Sequence, residues 1–284
     1  MTLPETGLIP VSVLVPTKNE ESNIGDCLDS LREFGEIVVV DSKSTDKTAQ
    51  LARQAGARVV DFQWNGQYPR KKQWALETVD FAHPWILLVD ADERVTPELA
   101  REIHEVVRHP RYRGYFVGLD YVFLGQMLRH GQRVYKLVLF DRTEARFPEH
   151  KDLDIGVAGD NEIHVHVKFE GKAGLLQSRL LHRDHDALFD YFDRHNRYSE
   201  WEAKLRRLGE LPRRDELQPG VRGILKRLFA VLPFKGAMAF LAFYVGRLGF
   251  LDGRAGLHYA LAKGFYYWQI RVKELELKIG DRGQ

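Results

Sequence analysis

The sequence predicts an α/β protein whose core is a mostly parallel sheet flanked by helices. Two observations carry that reading. Short runs rich in β-branched residues recur through the first hundred positions: VSVLVP (11–16), EIVVVD (36–41), ARVVDF (57–62) and WILLVD (85–90). Between them, apolar residues return at helical spacing. Strands that are apolar throughout are buried on both faces, and their alternation with amphipathic helices is the pattern of parallel βαβ units.

Each element follows from local signals. Ile24, Cys27, Leu28, Leu31 and Phe34 mark a first helix, with Asn19 or Ser22 as its candidate cap. Ser44 or Thr45 is placed to cap a second helix carrying Thr48, Leu51, Ala52 and Ala55, and Gly56 suits its exit. Trp74, Ala75, Leu76 and Val79 give a third. Thr96 as N-cap, with Pro97 at the first helical position, opens a fourth. Residues 114–125 and 133–142 alternate in character and read as strands, paired antiparallel. Residues 161–171 follow as a further strand with His164, His166 and Lys168 on one face. A polar amphipathic helix fits 187–208, a linker 209–220, and an apolar, aromatic and basic tail 221–275. The expected organisation is one domain over 1–208, with halves 1–110 and 111–208, and a helical extension over 209–284.

Composition narrows the function. A formal net charge of +2 over 284 residues gives no electrostatic basis for a nucleic-acid partner. A single cysteine, Cys27, excludes an internal disulfide and a cysteine-based zinc site, and its helical apolar position reads as packing. The N-terminus lacks a basic start followed by a long apolar core, so a cytoplasmic location is expected. No run of about twenty apolar residues predicts a membrane span, because Pro233, Lys235, Arg247 and several glycines interrupt 228–251.

In parallel sheets of this kind, ligands bind beyond the carboxyl ends of the strands. Those ends carry polar groups: Thr17, Asn19 and Glu20 after Pro16, then Asp41 and Ser42, then Asp90, Asp92 and Glu93. Two carboxylates at i and i+2 on a strand point to one side and can share a hard divalent cation with ligand phosphates. The alternative for Asp90–Asp92 is an acidic turn favouring the next helix N-terminus. Asp41 can accept from a ribose hydroxyl or base N–H, or form an Asx turn. Asp46 reads as structural, beside a helix start. Arg70, Lys71 and Lys72 in YPRKKQWAL can meet a diphosphate or form a solvated face.

Three strings together, VSVLVPTKNEESNIGDCLDSL, IVVVDSKSTDKTAQLA and WILLVDADERVTPEL, resemble the successive blocks of family 2 glycosyltransferases with the GT-A fold. The resemblance covers roughly residues 10–205. Two later strings, LLHRDHDALFDYFDRHNRYSEWEA and GFLDGRAGLHYALAKGFYYWQIRVKELE, are similar to the bacterial lipopolysaccharide-core β-glucosyltransferases. The resemblance implies a nucleotide-sugar donor, usually UDP-linked, and a divalent cation, Mg2+ or Mn2+. It implies that Pro16, Thr17, Asn19, Glu20 and Asp41 line the nucleoside site and that Lys71 approaches the diphosphate. Asp90 and Asp92 become the D-x-D pair, with Asp92 on the metal and His182 near the metal or diphosphate. One departure is that VDSKST replaces the commoner VDDGST, so Asp41 stands without a second acidic neighbour.

Inverting transfer in one displacement needs a neutralised leaving diphosphate, an in-line acceptor hydroxyl and a general base. The resemblance places the base downstream, where Glu162 is the first candidate and Asp160 the second, with His164 and His166 alongside. It also implies a saccharide or lipid-linked acceptor used in envelope glycan synthesis. The basic and aromatic tail, 221–275, reads either as a buried helical core or as an interfacial surface on the inner face of the plasma membrane. A nucleotidyltransferase of related topology would show a glycine- and arginine-rich loop after the first strand, which VPTKNEES lacks. A non-catalytic nucleotide-sugar-binding scaffold is the other rival, and the intact acidic pair argues against it.

Overall fold

A computed structural model describes residues 7–132, 134–147, 167–185, 187–208 and 234–280. The chain divides into two compact units. The described residues of the first are 7–122, 134–147 and 167–185, and those of the second are 123–132, 187–208 and 234–280.

The first unit is a sheet with helices. Its strands and helices run β1 (Ile9–Thr17), α1 (Ile24–Asp29), β2 (Phe34–Asp41), α2 (Thr48–Gln54), β3 (Arg58–Asp61), α3 (Lys71–Thr78) and β4 (Trp85–Leu88). Then come β5 (Glu93–Val95), α4 (Pro97–Arg108) and β6 (Gly114–Phe123). A short strand, β7 (Gln126–Leu128), belongs to the second unit, and β8 (Tyr135–Asp141) and β9 (Gly174–His182) complete the first. The sheet order is β3-β2-β1-β4-β8-β6-β9-β5. The first four strands are parallel, as expected. From there the sheet is mixed, with β8 antiparallel to β4 and to β6, β9 parallel to β6, and β5 antiparallel to β9. The expectation of a mostly parallel sheet therefore holds only for the half built from β1 to β4.

Alternation along the strands explains burial on both faces. Val13, Val15, Val39 and Leu87 pack in one apolar cluster, while Leu14, Val38, Val40, Ile86 and Leu88 pack in the other. Successive side chains of a strand point to opposite faces, so a run such as VSVLV must find a core on each side. Each such side chain, fully buried, contributes roughly 1.5–3 kcal/mol.

Local capping differs from the sequence expectation in two places. The N-cap position of the first helix is Asn23, whose side chain makes no capping hydrogen bond, not Asn19 or Ser22, and Asn19 instead takes a left-handed backbone with φ 55°. The second begins at Thr48, and Ser44 turns away to the Asp41 carboxylate. Asp46 takes the structural role expected of it, accepting from the Thr48 N–H at 3.0 Å and hydroxyl at 2.5 Å. The fourth helix starts as expected, with Thr96 Oγ1 accepting from the Leu99 N–H at 3.2 Å and Pro97 in the first turn.

The second unit is helical, with α5 (Leu188–Leu208), α6 (Lys235–Leu241) and α7 (Gly253–Gly280). A π-helical turn, Ala242–Gly246, and a 3-10 turn, Gly249–Asp252, join the last two. Glycines let α6 and α7 approach closely: a Cβ at Gly236 would stand 2.8 Å from the Gly264 carbonyl oxygen. Phe123 packs edge-on against Tyr191 and Tyr259, at 5.5 and 5.4 Å between ring centroids. The buried Asp252 carboxylate accepts from the Arg129 and His130 N–H groups. No helix among the described residues is long and apolar enough to cross a membrane. The segments 148–166 and 209–233, which hold the predicted strand start, linker and part of the tail, lie outside the described residues.

Candidate active site

The ends of β1 and β2 lie side by side, with Thr17 paired opposite Asp41. Thr17 Oγ1 donates to Asp41 Oδ1 at 2.8 Å. The Ser44 N–H and hydroxyl donate to the same carboxylate at 2.8 and 2.6 Å. A carboxylate offers about four acceptor sites, so three internal donors occupy most of Asp41. The Asn19 side-chain oxygen accepts from the Thr45 N–H at 2.9 Å, and the Glu20 N–H donates to Thr48 Oγ1 at 2.7 Å. The strings PTKNEE and DSKST are thus clasped to each other. Lys71, only 2% exposed, donates from Nζ to the Thr17 carbonyl at 2.9 Å. It is not on a solvated face. The structure therefore brings Pro16, Thr17, Asn19, Glu20, Asp41 and Lys71 into one neighbourhood.

Asp90 and Asp92 do not lie on a strand. They occupy the turn between β4 and β5, so the same-side rule for i and i+2 does not apply, and each finds a different partner. The turn closes reciprocally: the Glu93 N–H donates to the Asp90 carbonyl at 2.9 Å, and the Asp90 N–H to Glu93 Oε2 at 2.9 Å. Lys136, from β8, bridges Asp90 Oδ2 and Glu93 Oε1, each at 2.6 Å. Asp92 Oδ2 stands 3.2 Å from His182 Nε2. Strand pairing places that histidine, because His182 at the end of β9 lies opposite Glu93 on β5 and Tyr121 on β6. The Tyr121 and His182 rings stack at 4.4 Å between centroids.

Charge and burial set the protonation states. Burial pushes the Asp90 carboxyl up, but the Lys136 ammonium, with Lys72 beyond it, more than offsets this and holds it well below the usual range. Burial acts likewise on Asp92, and the His182 imidazole overcomes it. Glu93 is fully buried, and there burial outweighs the Lys136 attraction, so its carboxyl is raised. Lys136 is raised because Asp90 and Glu93 outweigh the penalty of burying its charge. His182 is raised because Asp92 outweighs the same penalty.

A raised His182 makes a pH prediction for the metal-free protein. Its protonated pair with Asp92 stabilises the fold fully below 6.5, the ordinary imidazole value, and loses that contribution as pH rises through the higher folded value. The variant His182→Asn is expected to flatten the melting temperature against pH from 6 to 9. An unchanged slope overturns the assignment.

The residues present suit a shared rather than a caged cation. Among the described residues no group of three or more His, Cys, Asp or Glu side chains is arranged to hold a metal. Asp92 and His182 supply one carboxylate oxygen and one imidazole nitrogen. Mg2+ and Mn2+ accept such a partial set when ligand phosphates and water complete it. His182 Nε2 donates to Asp92 in the metal-free protein, while Nδ1 is buried without a hydrogen-bond partner among the described residues, so the ring can keep its proton on Nδ1 when Nε2 turns to a cation. Asp90, tied to Lys136, is placed differently from Asp92.

Sequence reasoning missed Lys136 and gave Glu93 no role. The one signal for Lys136 is a charge interrupting the alternation of RVYKLVLFD. The predicted bases Glu162 and Asp160, with His164 and His166, lie outside the described residues.

The curled mixed sheet with helices and an acidic turn at its edge is a GT-A type fold. Residues 12–159 match the family described as Glycosyl transferase family 2, and the chain belongs to that family. It is 30% identical to the lipopolysaccharide core biosynthesis glycosyltransferase LpsC of Rhizobium meliloti, over 96% of this chain and 97% of that one. It is 29% identical over 200 residues to an uncharacterized glycosyltransferase, RT0209, of Rickettsia typhi, covering 68% of this chain and 67% of that one. Among solved structures it is similar to the mannosyltransferase PcManGT of Pyrobaculum calidifontis, in complex with GDP-Man and Mn2+. That likeness has a TM-score of 0.52 at 17% identity and covers 95% of this chain and 88% of the other.

Proposed function

We propose that this glycosyltransferase moves a hexose with inversion from a UDP-linked donor to a saccharide or lipid-linked acceptor in bacterial envelope glycan synthesis. The observation that carries the reading is the Asp92–His182 pair standing beside a carboxylate turn neutralised by Lys136. Likeness to LpsC over nearly the whole chain supports the envelope acceptor.

The nucleoside meets Pro16, Thr17, Asn19, Glu20 and the free edge of Asp41. Lys71 braces the Thr17 carbonyl and adds positive charge near the diphosphate. Asp92 and His182 are the residues that would hold Mg2+ or Mn2+, with the diphosphate completing the set. When bound, the ion neutralises charge on the departing diphosphate. Asp90, kept ionised by Lys136, holds the turn that presents Asp92 and faces Lys72. Glu162 takes the proton from the acceptor hydroxyl, with Asp160 as the second candidate. Residues 1–208 form the transferase domain, and 209–284 an extension that rests on the inner face of the plasma membrane through 221–275.

Calorimetric titration of a panel of nucleotide sugars, with and without Mn2+, tests the donor. A UDP-sugar is expected to bind, and more tightly with the ion. Failure of every UDP-sugar to bind sinks the donor assignment. The variant Glu162→Gln is expected to retain donor binding while losing transfer. Full transfer by that variant removes Glu162 as the base.

A further inference from the structure

The second unit carries eighteen of the twenty-three exposed large apolar side chains among the described residues. Part of that surface is a groove of about 690 Å³. Phe123 at the end of β6 and Leu124 after it, Leu188 and Phe192 on α5, and Leu261 and Phe265 on α7 line it, and its one polar liner is His258. A groove of this size and lining falls in the range of small-molecule sites.

The lining of α7 has a direction. Arg254 and His258 are four residues apart, and Leu261, Ala262 and Phe265 continue the same helical face. Both Arg254 and His258 are exposed, and no ion pair or hydrogen bond engages Arg254 among the described residues. The face therefore runs from a cationic end into an apolar trough. That is the charge and shape complement of an anionic amphiphile, with its acidic head at Arg254 and its hydrocarbon along Ala262.

We infer that this groove seats one hydrocarbon chain of a phosphate-bearing lipid, its head at Arg254 and His258. The inference rests on the membrane-surface reading above and gives it a defined lipid site. Neighbouring exposed side chains, Phe189 at 79% and Leu251 at 56%, then meet the surrounding interface.

The test uses the full chain. Dodecyl phosphate below its critical micelle concentration is titrated by calorimetry, with dodecyl maltoside as the uncharged control. Flotation compares phosphatidylcholine vesicles with and without phosphatidylglycerol. Saturable binding of dodecyl phosphate at one site is expected, tighter than that of dodecyl maltoside. Ala262→Phe fills the trough and is expected to weaken both amphiphiles at least about tenfold. Leu261→Gln, at a half-exposed position, gives the same direction of change if the bulkier variant does not fold. Arg254→Gln is expected to weaken dodecyl phosphate alone and to lower flotation with the anionic vesicles.

Equal amphiphile binding by the wild type and both groove variants overturns the inference. So does a dimer in light scattering that Leu261→Gln dissociates while amphiphile binding is absent. Flotation separates the two proposals: saturable amphiphile binding by a protein that floats with neither vesicle defeats the membrane-surface reading alone, and flotation without saturable amphiphile binding defeats the groove alone.

Discussion

Replacing Lys136 with methionine is expected to destabilise the protein by about 2–3 kcal/mol, read as a lower urea midpoint at unchanged slope. The stem of methionine fills similar space, so packing is not the main loss. The charge is. Lys136 donates at 2.6 Å to Asp90 and to Glu93, and the Glu93 side chain has no exposed surface. Without the ammonium, Glu93 must hold a buried charge alone or take up a proton. Asp90 is 39% exposed and can be hydrated, which keeps the figure below that of a fully buried pair. The carboxyl of Glu93 is already raised by burial, so the deficit is expected to shrink as pH falls and Glu93 becomes neutral. A second change, Glu93→Gln, is expected to recover part of the loss. A double variant no more stable than Lys136→Met contradicts this account.

Replacing Asp92 with asparagine is expected to lower sugar transfer by about a thousandfold, equivalent to about 4 kcal/mol of transition-state stabilisation. The fold should change little, because asparagine keeps an oxygen facing His182 and leaves the turn hydrogen bonds of Asp90 and Glu93 in place. What it removes is the negative charge that raises His182 in the metal-free protein and that would hold a cation in the loaded one. Transfer is followed with the nucleotide sugar that binds in calorimetry, across a Mn2+ series. Activity and Mn2+ dependence equal to the wild type would show that Asp92 is not the metal ligand.

The parallel half of the fold was readable because local and global signals agree there. VSVLV, EIVVV and WILL are apolar on both faces, which only a sheet covered on both sides satisfies. Thr96 and Pro97 are a strong start signal, and α4 begins where they stand. Ser44 does not cap α2 because it has two uses, and the Asp41 carboxylate, which also accepts from Thr17, takes it first. The three-residue β5 is too short for any periodic signal, and it forms only because β9 arrives to pair with it. That pairing is what brings His182 to Asp92, across ninety positions of sequence. The resemblance of the sequence blocks supplied His182 as a candidate, which periodicity alone does not. Lys136 was invisible for the same reason as β5: its partners are set by strand order, not by spacing.

The clasp between the first two strands has a consequence for recognition. Asp41, Ser44, Thr17 and Lys71 already satisfy one another, so the loop does not wait for a ligand to give it shape. If the proposed nucleoside site lies there, its ligand would meet a preorganised edge and forfeit little free energy to ordering it. Loosening the clasp, as in Thr17→Val, should therefore appear as weaker and more enthalpically compensated donor binding, even though valine leaves the ligand-facing outline almost unchanged.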